Sequence, residues 1–403
     1  MSLNATPSSE RIHIAFFGRR NAGKSSVVNA VTGQALSVVS DVKGTTTDPV
    51  YKAMELLPLG PVMIVDTAGI DDEGELGQLR VEKSLAVLAK TDIAVLVVDG
   101  TVGLQDADRA LLAEFEKRKL PYLIVYNKSD LTGNWDYSSI HEICVSAKDG
   151  TNILALRERM AAIVAPAANP TPLLEDLVSP GDLIVLVIPI DESAPKGRLI
   201  LPQQQVIRAA LEAGAVPVCC KDTELALTLQ TIPSPQMVIT DSQAFGRVSK
   251  IVPESIPLTS FSILFARYKG DLLTVVRGAA ALDTLRPGDK VLLSEGCTHH
   301  RQCNDIGTVK LPRWINAHAG CELTYEWSSG TGFPRDLSPY KLVVHCGACM
   351  LPPREVQFRM QTANAQGIPF TNYGTAIAHC HGILRRSLGL FPEAAALLAE
   401  QTD

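Results

Sequence analysis

The chain has 403 residues, of which 46% are apolar and 20% charged, with a formal net charge of -6. That length suits two or three domains with their own cores, and the acidic balance without a long Lys/Arg run advertises no nucleic-acid face, though an acidic chain can still bind through a local patch. The polar start Met1–Glu10 lacks the apolar segment of a signal peptide, and the longest apolar runs are strand-length, so a cytoplasmic protein with no membrane contact is expected.

In chain order, Ile12–Phe17 is an apolar run ending at Gly18, and a helix is expected from about Gly23. Strands are expected at Val62–Val65, Ile93–Val98, Tyr122–Tyr126 and Ile143–Val145. Helical periodicity at Leu76–Ala89, Ala107–Lys119 and Ile153–Ile163 separates or closes them, the pattern of a parallel sheet. The Ala/Pro-rich stretch Ala165–Pro172 reads as a linker. A shorter α/β pattern follows, with strands at Leu183–Ile190, Val216–Cys219 and Met237–Ile239 and helices at Gln203–Ala213 and Thr223–Leu229. Its core is small for a domain, so burial against a second copy is expected, giving a homodimer. A helical stretch from Phe261 to Leu285 precedes the turn Arg286-Pro287-Gly288-Asp289 and a strand at Val291–Leu293 that delivers Glu295-Gly296-Cys297. The chain closes with an Ala/Leu-rich helix, Glu393–Glu400.

Gly18-x-x-x-x-Gly23-Lys24-Ser25 between a strand and a helix is a P-loop. Backbone N–H groups from Gly18 through Ser26, including Ala22, would close around phosphates. Lys24 would reach the β- and γ-phosphates, and the Ser25 hydroxyl would ligate Mg²⁺. Asp66-Thr67-Ala68-Gly69 follows a strand, so Asp66 would hold Mg²⁺ through water and Gly69 would meet the γ-phosphate. Gly44-Thr45-Thr46-Thr47-Asp48 lies where the first switch loop belongs, with Thr46 as the second Mg²⁺ ligand. In Asn127-Lys128-Ser129-Asp130, the Asp130 carboxylate can accept two hydrogen bonds from guanine that adenine cannot offer, which selects GTP. Ser146-Ala147-Lys148 would back the base. The ordered set resembles the Era and tRNA-modification (MnmE/TrmE) branch of GTPases. That resemblance implies that Asn21 coordinates K⁺, helped by the backbone near Asp41–Gly44. Asn21, Lys24 and Thr46 are then the catalytic set. Ile70 cannot orient the attacking water as a glutamine would, so hydrolysis is expected to be slow and K⁺-activated. Asp41–Asp48 and Ile70–Gly77 would change order when the γ-phosphate leaves. Arg19 and Arg20 read as solvated.

Six of the nine cysteines and six of the eight histidines fall between Cys297 and His381. Cys346-Gly347-Ala348-Cys349 can bring two thiolates to one metal from a short turn, and Cys297 can add a third from a strand end. By residue chemistry, Zn²⁺ and an iron–sulfur cluster both remain open. His299, His345 and Asp305 are candidates for a fourth position, none preferred. Cys303 is a weaker rival ligand, and His379 and His381, flanking Cys380, read as packing residues.

Gly296-Cys297-Thr298-His299-His300, Asp305-Ile306-Gly307, Lys310-Leu311-Pro312-Arg313-Trp314 and His345-Cys346-Gly347-Ala348-Cys349 resemble the HydF family of FeFe-hydrogenase maturation GTPases. The resemblance implies an α/β chain of three domains. They are a P-loop GTP-binding domain (1–168), a small α/β dimerisation domain (175–260) and an α/β domain (261–403) binding a 4Fe–4S cluster. It also implies a scaffold that receives a di-iron subcluster precursor, built with two radical-SAM maturases, and passes it to apo FeFe-hydrogenase. The chain lacks the Cys-x₃-Cys-x₂-Cys of a radical-SAM enzyme, as a carrier would. The competing readings are a tRNA- or ribosome-directed GTPase with structural zinc, and a redox sensor whose cluster reports to the GTPase.

Overall fold

The computed structural model describes residues 6–34, 49–70, 84, 86–133, 139–164, 171–190, 199–232, 234–296, 306–330 and 332–400. These divide into two compact units, 1–168 and 169–403. Among the described residues no helix is long and apolar enough to cross a membrane.

The first unit is built on a six-stranded sheet. Its elements are β1 (Ile12–Gly18), α1 (Lys24–Thr32), β2 (Val50–Leu56), β3 (Gly60–Asp66), β4 (Ile93–Asp99), α2 (Asp106–Lys117), β5 (Tyr122–Asn127), β6 (Glu142–Cys144) and α3 (Ile153–Val164). The order is β2-β3-β1-β4-β5-β6, parallel except for β2, which pairs antiparallel with β3. β1 and β4 are apolar almost throughout because both their faces are covered. One face carries Ile14, Phe16, Val95 and Val97 against Val28 of α1 and Leu156 and Met160 of α3. The other carries Phe17 and Leu96 against Leu111 and Phe115 of α2. β2 was not anticipated: Val50-Tyr51-Lys52-Ala53-Met54-Glu55-Leu56 is a mostly exposed edge strand, so it lacks the burial pattern that marks its neighbours. The helix expected at Leu76–Ala89 lies mostly outside the described residues, as do Thr46 and the rest of the first switch loop.

The second unit holds two four-stranded parallel sheets. The first comprises β7 (Leu183–Val187), α4 (Leu201–Glu212), β8 (Val216–Cys220), α5 (Leu225–Thr231), β9 (Met237–Thr240), α6 (Phe245–Ile251) and β10 (Leu258–Ser260), in strand order β10-β9-β7-β8. Next come α7 (Phe261–Lys269), α8 (Leu272–Ala280), β11 (Lys290–Glu295), α9 (Leu311–Ala319), β12 (Thr324–Ser329), β13 (Leu342–His345), α10 (Pro353–Ala365), β14 (Phe370–Asn372), α11 (Tyr373–Cys380) and α12 (Pro392–Glu400). These strands are ordered β12-β11-β13-β14. One apolar core runs through both sheets: Val185, Ile239 and Phe245 belong to the same cluster as Leu264, Val276, Val343 and Met360.

The single helical stretch expected from Phe261 to Leu285 is broken at Gly270. Asp271 caps the second piece, its carboxylate accepting from Leu273 N and Thr274 N at 3.2 Å each. In α8, Gly278 lets the helix sit on β14: a Cβ there would lie 2.0 Å from the Phe370 carbonyl oxygen. A π-helical turn at Ile306–Lys310 leads into α9, whose first turn carries Pro312.

Candidate functional site

In the first unit, strand order reverses at β1, and the P-loop leaves the carboxyl end of that strand, where parallel α/β sheets bind ligands. Gly18 lies against β4, where a Cβ would be 2.4 Å from Val97 O. Gly23 is left-handed (φ +84°) and closes on Asn127, leaving no room for a side chain. Asn21 also adopts positive φ (60°) and is exposed. Ala22 is buried, while Lys24, Ser25 and Ser26 open α1 and are partly accessible. Lys24 Nζ forms an ion pair with Asp66, and Ser25 Oγ donates to the other Asp66 oxygen at 3.2 Å. The expected phosphate lysine therefore meets Ser25 and Asp66, two of the three expected magnesium-site groups, while Thr46 lies outside the described residues. Beyond Asp66, the Thr67 hydroxyl donates to Phe16 O at 2.7 Å and Ile70 N to Gly18 O at 3.4 Å, which tie the Asp66–Gly69 turn to the P-loop.

The base-side loops converge on Asn127. Its Nδ2 donates to Ala22 O at 3.1 Å, and its Oδ1 accepts from Ala147 N at 3.1 Å. One side chain thus holds the phosphate loop and the Ser146-Ala147-Lys148 loop together. Asp130 accepts from Ser146 Oγ at 3.1 Å and pairs with Lys148 Nζ at 3.5 Å. Lys128, left-handed at φ 69°, donates through Nζ to Asp99 at 2.5 Å. Burial pushes the Asp99 carboxyl up, but the hydrogen bonds from Lys128 and Thr101 outweigh it and hold it below the usual range. Asp99 was not anticipated; its only signal was its place at the end of a strand. Arg19, expected to be solvated, instead pairs with buried Asp108 at 3.1 Å, and Asp108 also accepts from Gln105 N at the start of α2. A buried carboxylate attracts an arginine within reach, which spacing alone does not reveal.

In the second unit the strand order reverses at β11, and β11 and β13 are adjacent and parallel, Ser294 opposite His345. Their carboxyl ends carry Gly296 and Cys346. Gly296 N donates to Cys346 Sγ at 3.1 Å, and Ala348 N does so at 3.4 Å from a positive-φ position (54°). Two N–H dipoles aimed at one sulfur suit a thiolate ligand. Burial pushes the Cys346 thiol up to about 11 and also raises Cys349. Lys269, 1% exposed at the end of α7, supplies a fixed charge beneath this loop. Its Nζ donates to the carbonyls of Ala348, Cys349 and Leu351 at 3.2, 3.0 and 2.9 Å. Sequence reasoning missed it, because a lysine closing an amphipathic helix looks like a surface residue.

His345 stands differently from the expectation of a ligand. Its Nδ1 lies 2.8 Å from Cys346 O and its Nε2 3.0 Å from Arg359 Nη1. Burial, then the Arg359 charge, take its pKa down to about 3, so the neutral ring donates from Nδ1 and accepts at Nε2. Both nitrogens are thereby engaged. Arg359 is itself buried, bonding also to Glu355 and Gly330 O. Cys297, His299, Cys303 and Asp305 lie outside the described residues. His381 packs edge-on against Trp314 with ring centres 5.4 Å apart.

A P-loop at a sheet switch point, an acidic Mg²⁺-side loop and an Asn-Lys-x-Asp base loop define a P-loop GTPase domain, and a family model described as a 50S ribosome-binding GTPase matches residues 13–128. The hydrogen maturase F dimerization domain matches residues 173–270, and the hydrogen maturase F tetramerization domain matches residues 273–390. Those two together span more than half of the chain, which belongs to the hydrogen maturase F family. The dimerization match runs through α7, whereas the boundary expected from sequence falls at 260.

The tRNA modification GTPase MnmE of Laribacter hongkongensis is 35% identical over 154 residues, 37% of this chain and 34% of that protein. GTPase Der of Kosmotoga olearia is 31% identical over 194 residues, 42% of this chain and 43% of that protein. The match to an Era variant of Aquifex aeolicus solved with GDP and AlF4- covers 52% of this chain and 92% of that one at 19% identity, with a TM-score of 0.35. The chain thus spans 34% to 43% of the length of these curated relatives.

Proposed function

We propose that the chain is a GTP-hydrolysing scaffold of hydrogenase maturation that binds a 4Fe–4S cluster and assembles or delivers the di-iron subcluster of FeFe-hydrogenase. The observation that carries this reading is the meeting of Gly296, one residue before Cys297, with Cys346 at adjacent strand ends in a chain of the hydrogen maturase F family. The cluster would be held by Cys297, Cys346 and Cys349. When bound it supplies an iron short of one cysteine ligand, and so an exchangeable position for cargo. With both nitrogens of His345 engaged, that position falls to His299, Asp305 or an external ligand, and His345 becomes a residue that orients the Cys346 turn.

At the nucleotide site, Gly18, Ala22, Gly23, Ser26, Gly69 and Lys24 would hold phosphates. Ser25, Thr46 and water-mediated Asp66 would hold Mg²⁺. Asn127, Lys128, Asp130, Ser146, Ala147 and Lys148 would hold guanine. Lys24 must leave its pairing with Asp66 for the phosphates, an exchange driven by the higher charge of the nucleotide. K⁺ at Asn21 would supply the transition-state charge that Ile70 cannot organise. The proposed domains are 1–168, 175–260 and 261–403. The proposed assembly is a homodimer with further association through the C-terminal domain. The proposed partners are two radical-SAM maturases and apo-hydrogenase, in the cytoplasm, with no nucleic acid.

Anaerobic purification followed by iron, acid-labile sulfide and zinc analysis tests this. About four iron and four sulfide per chain are expected, lost in Cys346→Ala. Stoichiometric zinc after reconstitution with iron and sulfide, without charge-transfer absorption, would overturn it in favour of structural zinc. Hydrolysis that is unchanged when Na⁺ replaces K⁺ would remove the potassium role.

A further inference from the structure

Away from the cysteine loop, three ligand-type side chains converge in the C-terminal part of the second unit. Asp283 lies in the 3-10 turn Ala281–Thr284 after α8, His318 in the last turn of α9 and His379 in the last turn of α11. Asp283 Oδ1 is 2.6 Å from His318 Nε2 and 2.9 Å from His379 Nε2. The two rings meet edge to face with centres 5.1 Å apart. The three ligand atoms all lie within 4.8 Å of one another, and no other His/Cys/Asp/Glu trio among the described residues does so.

We propose that Asp283, His318 and His379 bind one divalent transition-metal ion of the zinc or ferrous class. The donor set is two imidazole nitrogens and one carboxylate oxygen, which favours these ions over the harder Mg²⁺ and Ca²⁺. Ligand bonds of about 2.0–2.2 Å place tetrahedral donors roughly 3.3–3.6 Å apart, so the Asp283 contacts need open by about 1 Å at most. The surroundings also favour a cation. Both histidines sit at helix carboxyl ends, where backbone carbonyls concentrate negative potential, and Asp283 adds a full charge. Access is adequate: the Asp283 side chain is 52% exposed, while His318 and His379 are 22% and 14% exposed and so held in place.

The site is separate from the cysteine loop. Asn372, opposite His345 in the β13–β14 pairing, caps the start of α11, and His379 lies in its last turn, about 10 Å further along the helix axis at 1.5 Å per residue. An ion there would join the turn after α8 to α9 and α11. Those two helices bury Leu311, Ile315, Ala376 and Ile377 in one core, so the ion would brace the domain independently of any cluster.

The test uses the full-length protein with Cys297→Ala, Cys346→Ala and Cys349→Ala combined, titrated with Co²⁺ under argon. About one equivalent is expected, with d–d bands of nitrogen/oxygen ligation and no sulfur-to-cobalt charge transfer. His318→Gln or His379→Gln added to that background should weaken binding at least about tenfold. Zn²⁺ should raise the melting temperature of the background protein but not of the histidine variants. Co²⁺ binding that is unaltered by either histidine change, or no binding at all, would overturn the proposal and leave an ion-paired cluster. Should the triple variant not fold, the same histidine changes are made with native cysteines. Zinc content must then fall by one equivalent while iron content holds; equal zinc in both proteins would also overturn it.

Discussion

Asn127 spans the gap between the phosphate loop and the base loop through one amide, and Asp130 is braced by Ser146 and Lys148. In the proposed nucleotide site, Asp130→Asn would exchange one carboxylate acceptor for a donor facing the guanine amine. Charge-assisted hydrogen bonds contribute about 1.5–3 kcal/mol each, so GDP affinity should fall roughly 10–150-fold by calorimetric titration. Xanthosine diphosphate, with a carbonyl in place of that amine, should bind the variant better than the wild type. An unchanged guanine preference would remove Asp130 from the base site. The Asp99–Lys128 pair has a pH signature. The folded carboxyl titrates below its unperturbed 3.8, so the native state binds fewer protons there than the unfolded one. Its contribution is complete above that value and is lost as pH falls through the lower folded value. The melting-temperature gap between wild type and Asp99→Asn should therefore close in acid below 3.8; a constant gap would argue that Asp99 acts without its charge.

Among the elements, α8 and α10 hold the frame of the cysteine site. Gly278 touches the Phe370 carbonyl, so Gly278→Ala must push α8 off β14 or bend the strand. A loss of about 1–3 kcal/mol is expected in chemical denaturation, the usual penalty of overpacking; under about 0.5 kcal/mol would mean that the contact yields freely. On α10, Arg359 links His345, Ser294 and Glu355 in the interior. Arg359→Ala leaves the buried Glu355 charge without this partner and should cost about 3–5 kcal/mol. Denaturation midpoints of Arg359→Ala and of Arg359→Ala/Glu355→Gln check this, since the double variant should regain part of the loss. The fully buried strands of the first sheet were legible as apolar runs. The exposed edge strand β2 and the break at Gly270-Asp271 were not, because one lacks burial and the other interrupts helical periodicity without a proline.

Across the whole molecule, residues 1–168 form one unit and residues 169–403 another in which two sheets share one core. Two calorimetric transitions are expected, one for each unit, with both sheets of the second melting together. A fragment of residues 1–168 should fold and bind GDP, whereas cutting between 260 and 261 should expose shared core and give insoluble pieces. Separate melting of the two sheets would contradict a common core. Light scattering on the intact chain should report a mass above the monomer, since two matched domains are described as dimerization and tetramerization domains.

Contiguous motifs carry their own local geometry. The P-loop, the Asp66 turn, the Asn127–Asp130 loop and the Cys346–Cys349 turn could therefore be read from spacing, each at a strand end. Spacing does not encode which strand lies beside which. Only the reversal of strand order at β11 brings Gly296 to Cys346, fifty residues apart. Only long-range packing sets the buried Lys269 beneath Ala348, Cys349 and Leu351, closes both nitrogens of His345, and gathers Asp283, His318 and His379 from three separate segments. Local backbone preference acts over a few residues, whereas these neighbours are chosen by burial of shared apolar faces across the fold.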